Sequence, residues 1–155
     1  MFRKNDPIAS ALAALDRGEF AGAQSALDEL LERPGSPVER AFLLNKRGVA
    51  RIGLDQRELA RADFAAALQS VGGYAPALTN LGNLLLEAGD VQGAIAHYQR
   101  AVSSDREYAL AHLNLGVAYK RLGRIADSVR ELREAQRLEQ RSRANLSFWR
   151  RARPR

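Results

Sequence analysis

Residues 75–108 read APALTNLGNLLLEAGDVQGAIAHYQRAVSSDREY, and the pattern inside this stretch returns on both sides of it at a step of 34 residues. Gly82 has counterparts in Gly48 and Gly116, Ala94 in Ala60 and Ser128, Tyr98 in Phe64 and Leu132, and Ala101 in Ala67 and Ala135. A fixed period of this length predicts stacked helix pairs. No run alternates at period two over a strand length between turn signals, so no sheet is expected. One helix pair cannot bury its own apolar face, so each unit needs its neighbours.

With Leu81 and Gly82 on a first helix and Gly89, Ala94, Tyr98 and Ala101 following, the stretch resembles a tetratricopeptide repeat. The resemblance covers roughly Asn5 to Gln140. It implies an all-α fold, a right-handed α-α superhelix or solenoid of about four helix-turn-helix units with a C-terminal capping helix. The units are expected at about 5–37, 41–74, 75–108 and 109–140, forming one domain over 1–140, with 141–155 as a basic cap or tail. A small residue lets two helices approach, so Gly82 is expected to meet the alanine of the second helix with Tyr98 filling the space beside them. The following unit repeats the arrangement with Leu115, Gly116, Tyr119, Gly123, Ser128, Leu132 and Ala135.

The unit before keeps Gly48, Ala60, Phe64 and Ala67, but Arg47 and Arg51 stand where Leu81 and Leu85, then Leu115 and Tyr119, stand later. It is similar to tetratricopeptide units that carry Arg-Gly on the first helix and Asp-Phe on the second, which implies that Arg47 pairs with Asp63. The alternative is that both side chains snorkel to solvent. The first unit offers Gly18, Phe20, Ala23 and Leu27 after a helix with Ile8, Leu12 and Leu15. Ala23 precedes Ala60 by 37 residues, and the excess falls at Pro34-Gly35-Ser36-Pro37, which breaks a helix and lengthens the turn. Asp6 before Pro7 is a helix-start signal. The helices are predicted at about 7–16, 19–32, 38–53, 57–70, 75–88, 91–103, 107–122 and 125–140.

A composition of 46% hydrophobic and 27% charged residues is that of an ordinary soluble globular chain. The absence of cysteine excludes disulfides, thiol nucleophiles and thiolate metal ligands. Phe2-Arg3-Lys4 ahead of Pro7 to Leu15 has the outline of a signal peptide, but Asp6 and Asp16 interrupt it, and no segment approaches the roughly 20 apolar residues of a membrane span. A cytoplasmic location is the expectation. The net charge of +6 is uneven: Lys120 to Arg155 carries twelve Lys or Arg against Asp127, Glu131, Glu134 and Glu139. Basicity belongs to the end of the chain.

The family resemblance implies a concave groove lined by the first helices. Spacing puts Asn45, Val49 and Ile52 on one such face, then Thr79, Asn83 and Leu86, then Leu113, Val117 and Lys120. Asn80 and Asn114, one period apart, each precede Leu-Gly, and Lys46 takes the same place earlier. In large superhelical members of the family similar asparagines grip the backbone of an extended peptide. A carboxamide suits that task because it both donates and accepts. The alternative is a bond from each asparagine to a neighbouring helix. Ile52, Leu86, Leu110, Leu113 and Val117 also fit an amphipathic helix, with Lys120 and Arg121 favouring acidic residues at one end of it. The carboxylate clamp found in some relatives is disfavoured, because Val49 and Leu110 stand where it needs polar or basic groups. The candidate binding set is therefore Asn45, Lys46, Thr79, Asn80, Asn83, Leu110, Leu113, Asn114, Val117, Lys120 and Arg121.

The basic end contains the single tryptophan. Ala144, Leu146, Phe148 or Trp149 can cap the last unit while the arginines face water. Alternatively Trp149 with Arg150, Arg151, Arg153 and Arg155 contacts an anionic membrane surface or nucleic acid, or the tail enters a groove of another copy and makes a homo-oligomer. No enzyme is expected. His97 and His112 fall on different helices, His112 at the apolar place of Leu44 and Leu78, where it is read as a packing residue; His97 takes the place of Asp63 and is read as partly exposed. There is no phosphate loop and no carboxylate pair, and no cofactor or metal is implied. The function expected is a noncatalytic scaffold that binds a peptide or amphipathic helix of a partner protein; the alternative is self-assembly or anchoring through the Arg-rich end.

Overall fold

Eight helices and no strand occupy residues 6–151, the part that the computed structural model describes, with side chains to residue 144. They are α1 (Pro7–Asp16), α2 (Phe20–Leu31), α3 (Pro37–Gly53), α4 (Arg57–Ser70), α5 (Ala75–Glu87), α6 (Val91–Ser104), α7 (Ala109–Arg121) and α8 (Ile125–Arg151). The starts are written locally. Asp6 accepts the Ile8 N–H at 2.9 Å with Pro7 in the first turn. Ser36, inside the inserted Pro34-Gly35-Ser36-Pro37, accepts the Glu39 N–H at 3.1 Å. Asp90 caps α6 through the Gly93 N–H at 2.8 Å. Each side-chain oxygen satisfies a donor that the helix itself leaves open.

The turns inside the helix pairs need one left-handed residue each. Gly18, Gly89 and Gly123 have φ of +74°, +86° and +73°, and Asp55 fills the same place at +58°. Glycine takes this conformation without steric cost, whereas aspartate tolerates it.

The chain divides into two compact units between Asn80 and Leu81, within α5. In the first, Ala11, Leu27, Leu30 and Leu43 form one buried cluster and Ala14, Ala23 and Ala50 another. Gly48 lies against the Phe64 ring, which is buried. Here Arg47 does pair with Asp63: its Nε and Nη2 donate to the two carboxylate oxygens at 3.0 and 2.6 Å. Its Nη1 donates to Asp28 at 2.8 Å, and Arg51 adds a bond to Asp63 at 2.7 Å. Burial works against the Arg47 charge, but the bonds from Asp63 and Asp28 outweigh it and hold the guanidinium pKa above its ordinary value.

In the second unit Ala94, Ile95, Tyr98, Leu115, Ala118 and Tyr119 form a buried cluster. Gly82 lies against the Tyr98 ring, with Cε1 2.5 Å from where a β-carbon would stand, and Ala94 is fully buried in the same cluster. Gly116 meets both Leu132 and, 3.2 Å from where a β-carbon would stand, the backbone carbonyl of Ser128, the residue at the alanine register.

Two boundaries differ from the pattern. α7 begins at Ala109, two residues after the expected start, because Asp105 accepts the Glu107 N–H at 2.9 Å and holds a turn there. α8 continues through Arg151 instead of ending near Gln140 before a separate capping helix. From Ala135 to Arg151 the sequence holds no glycine or proline and is rich in Arg, Gln, Leu and Ala, all good helix formers, so nothing stops the helix.

Candidate functional site

Leu110, Leu113 and Val117 recur three and four residues apart along α7, and all three are exposed. They share a helix face with Asn114 and Arg121. Beside them, Asn114 Nδ2 donates to Asn83 Oδ1 at 2.8 Å, and the Tyr98 hydroxyl donates to the same oxygen at 2.8 Å. Asn83 Oδ1 thus has both lone pairs engaged, while its Nδ2 makes no hydrogen bond among the described residues, and neither does Asn114 Oδ1. One free donor group and one free acceptor are what a peptide backbone needs. Burial pushes the Tyr98 hydroxyl up to about 12, with Arg121 drawing it down and Glu87 up, so it stays a neutral donor near pH 7 and holds the Asn83 carboxamide in this orientation.

Of the other residues that the sequence singled out, Asn80 Nδ2 donates to Asn45 Oδ1 at 2.9 Å. Both ladder asparagines therefore spend a donor on a neighbouring helix, the alternative left open by the sequence. Asn45 and Thr79 are buried, so neither presents a surface to a ligand as their spacing predicted. The Asn80 side chain lies over Asn45, and the Thr79 hydroxyl makes no hydrogen bond among the described residues. Lys46 is half-buried with its Nζ 5.5 Å from the centre of the Phe42 ring. Lys120 is exposed, and Arg121 Nη1 donates to the Leu86 carbonyl at 3.4 Å. The expected set is thus shared between the two units: Asn45, Lys46, Thr79 and Asn80 belong to the first, and Asn83, Leu110, Leu113, Asn114, Val117, Lys120 and Arg121 to the second. The side chains of Trp149, Arg150, Arg151, Arg153 and Arg155 lie outside the described residues.

His112 is buried, as a packing residue should be, but it is also bonded. Its Nδ1 lies 2.8 Å from Glu131 Oε2 and its Nε2 3.2 Å from the Arg106 carbonyl. Both ring nitrogens are thus held by partners within the second unit. The sequence carried a signal for this pair: Glu131 stands one period after His97 and two after Asp63, the acid that pairs with Arg47. His97 itself is half-buried and bonds the Gly93 carbonyl at 3.0 Å through Nδ1. Among the described residues no group of three or more His, Cys, Asp or Glu is placed to hold a metal, and no helix is long and apolar enough to cross a membrane.

Residues 82–123 match a family model described as TPR repeat, and residues 109–141 match one described as Tetratricopeptide repeat. Among solved structures, MamA superposes with a TM-score of 0.69 at 20% identity, over 90% of this chain and 80% of that one. PilF of Pseudomonas aeruginosa gives a TM-score of 0.73 at 25% identity, over 86% of this chain and 60% of that one. The second such domain of Spaghetti, which is bound to an HSP90 peptide, gives 0.59 at 19% identity, over 64% of this chain and 92% of that one.

Proposed function

We propose that the chain is a tetratricopeptide repeat protein that acts as a scaffold for contacts between proteins, and that its second unit binds a peptide or amphipathic helix of a partner on the exposed first-helix face of α7. The observation that carries this is the apolar row Leu110, Leu113 and Val117 standing beside a carboxamide pair with a free donor and a free acceptor. Apolar anchors three and four residues apart suit the matching face of a helix, and the Asn83 and Asn114 amides suit the backbone of an extended segment. Lys120 and Arg121 at the end of the row favour a ligand with acidic residues there. The role is noncatalytic: the ligand is held and not changed.

A displayed library of random peptides of about 15 residues, long enough for four helical turns, tests this. Selected peptides should carry apolar residues at helical spacing with acidic residues to one side, and should lose binding to Val117→Glu and to the Asn83→Ala, Asn114→Ala double variant. Peptides that bind both variants like the wild type would refute the assignment of this face.

A further inference from the structure

The second unit shows how one helix pair joins the next. Ile95 of α6 shares a core cluster with Leu115, Ala118 and Tyr119 of α7, and Val91 packs against the same cluster. Ile95 is 4% exposed and Ala118 fully buried. One period after Ile95 stands Val129, and one period after Val91 stands Ile125. Both lie on α8, 39% and 57% exposed, although they occupy the positions that α6 uses to seat the following helix. The helix itself does not demand apolar residues there, because α4 carries Arg57 and Arg61 at those positions. Since α8 is unbroken through Arg151, no residue up to that point folds back over them.

The complementary half of the joint stands on α1. The counterpart of Ala118 in α3 is Ala50, which is also fully buried. Counting the insertion of three residues, the counterpart in α1 is Ala13, and it is only partly buried. Ala9, Ser10 and Ala13 form a low surface on which a second helix can lie close. Asp6 and Asp16 flank it. Charge favours the match. Residues 6–32 carry six acidic residues against one basic, whereas residues 120–133 carry five basic against two acidic.

We propose that the α8 face centred on Ile125 and Val129 receives α1 of a second copy of this chain, seated on Ala9, Ser10 and Ala13, so that the protein self-associates head to tail. The contact repeats between copies the joint that Ile95 and Ala118 make within one chain. Its apolar seat, Ile125 and Val129, uses none of the residues assigned to ligand binding on α7, and of those residues only Lys120 and Arg121 add to the surrounding charge, so the substitutions that test one reading leave the other in place. The two surfaces differ, which makes the contact heterologous, with no built-in stop at a dimer.

Sedimentation equilibrium on the full chain tests the contact through two variants, each checked for helix content by circular dichroism. Val129→Glu puts an acid opposite the acidic α1 surface, and Ser10→Arg puts a bulky base opposite the basic rim of α8. The wild type should exceed its protomer mass of 17.1 kDa progressively with concentration, and less so as salt rises from about 50 to about 500 mM. Each variant alone should stay at protomer mass, and an equimolar mixture should associate at least to a one-to-one dimer, because each partner keeps one intact face. A wild type that stays monomeric to ~1 mM, the weakest affinity worth calling an interface, would overturn the proposal. So would self-association of either variant at the wild-type level, or a mixture that stays monomeric; persistence of association in Ser10→Arg alone would point instead to contact between two α8 faces.

Discussion

Replacing Asp63 by alanine removes the acceptor for three charged hydrogen bonds, from Arg47 at 3.0 and 2.6 Å and from Arg51 at 2.7 Å. Hydrogen bonds to charged groups contribute about 1.5 to 3 kcal/mol each, so the gross loss is about 4.5 to 9 kcal/mol. Part of it is recovered. Arg47 keeps Asp28 at 2.8 Å, Arg51 keeps the Leu59 carbonyl at 3.4 Å, and the two side chains are 20% and 14% exposed, enough for water to reach them. The net cost should therefore fall at the lower end of the 3 to 5 kcal/mol that breaking a buried ion pair typically costs. For a chain of this size that is a fall in Tm of roughly 6 to 12 °C. Urea unfolding followed by circular dichroism gives the number, with Glu134→Ala as the control. Glu134 makes an exposed pair with Arg137, which holds its carboxyl below the usual range, and its loss should cost well under about 1 kcal/mol. If Asp63→Ala costs no more than that control, the network is a surface feature and the reasoning fails. A Leu at 47, 51 and 63 together should be far milder than the single change, since no charge is then left buried.

Other substitutions separate glycines that look alike in sequence. Gly82→Ala drives a methyl into the buried Tyr98 ring and should cost about 1 to 3 kcal/mol; Gly22→Ala, in α2 with nothing within 4 Å, should instead gain up to about 1 kcal/mol in the same urea assay. Asp55→Gly relieves the left-handed strain at φ +58° and should raise stability by about 0.5 to 1 kcal/mol, whereas Gly89→Asp should lower it. Because burial raises the Tyr98 hydroxyl from 10.0 to about 12, the folded chain keeps a proton that the unfolded chain releases first. Its contribution is whole below about pH 10 and declines as pH rises toward about 12, by at most about 2.7 kcal/mol. Urea midpoints measured up the alkaline limb should fall less steeply for Tyr98→Phe than for wild type, and equal slopes would show that this hydroxyl does not titrate late.

Most helix boundaries were legible because caps and turn residues act locally: Asp6, Ser36 and Asp90 each need only the next three residues to do their work. The long α8 was missed because the period, and not a stop signal, set its expected end. Side-chain surroundings were legible only where they cost free energy if left unsatisfied. A half-buried guanidinium at an apolar register needs a partner, and the resemblance to units with Arg-Gly and Asp-Phe implied that Asp63 supplies it, with snorkelling as the alternative. Histidine at the register of Leu44 and Leu78 makes no such demand, since it packs acceptably when neutral, and the bond to Glu131 went unread although Glu131 sits at the register of Asp63.

The register of Asn45, Thr79 and Leu113 carries the lesson furthest. Read by spacing, all three should face a ligand; the structure buries the polar pair and exposes only the leucine. Period fixes which way a side chain points, and what lies over it is decided by another segment. Over Asn45 that segment is Asn80, whose amide makes burial of a carboxamide tolerable. Leu113, with Leu110 and Val117, has no such cover within the second unit, and the free energy of covering these side chains, about 25 cal/mol per Å², is still available to a partner. That residual free energy, and not the presence of asparagines as such, is the physical reason to place binding on α7, and it makes Val117→Glu the more damaging change for ligand binding than loss of either carboxamide alone.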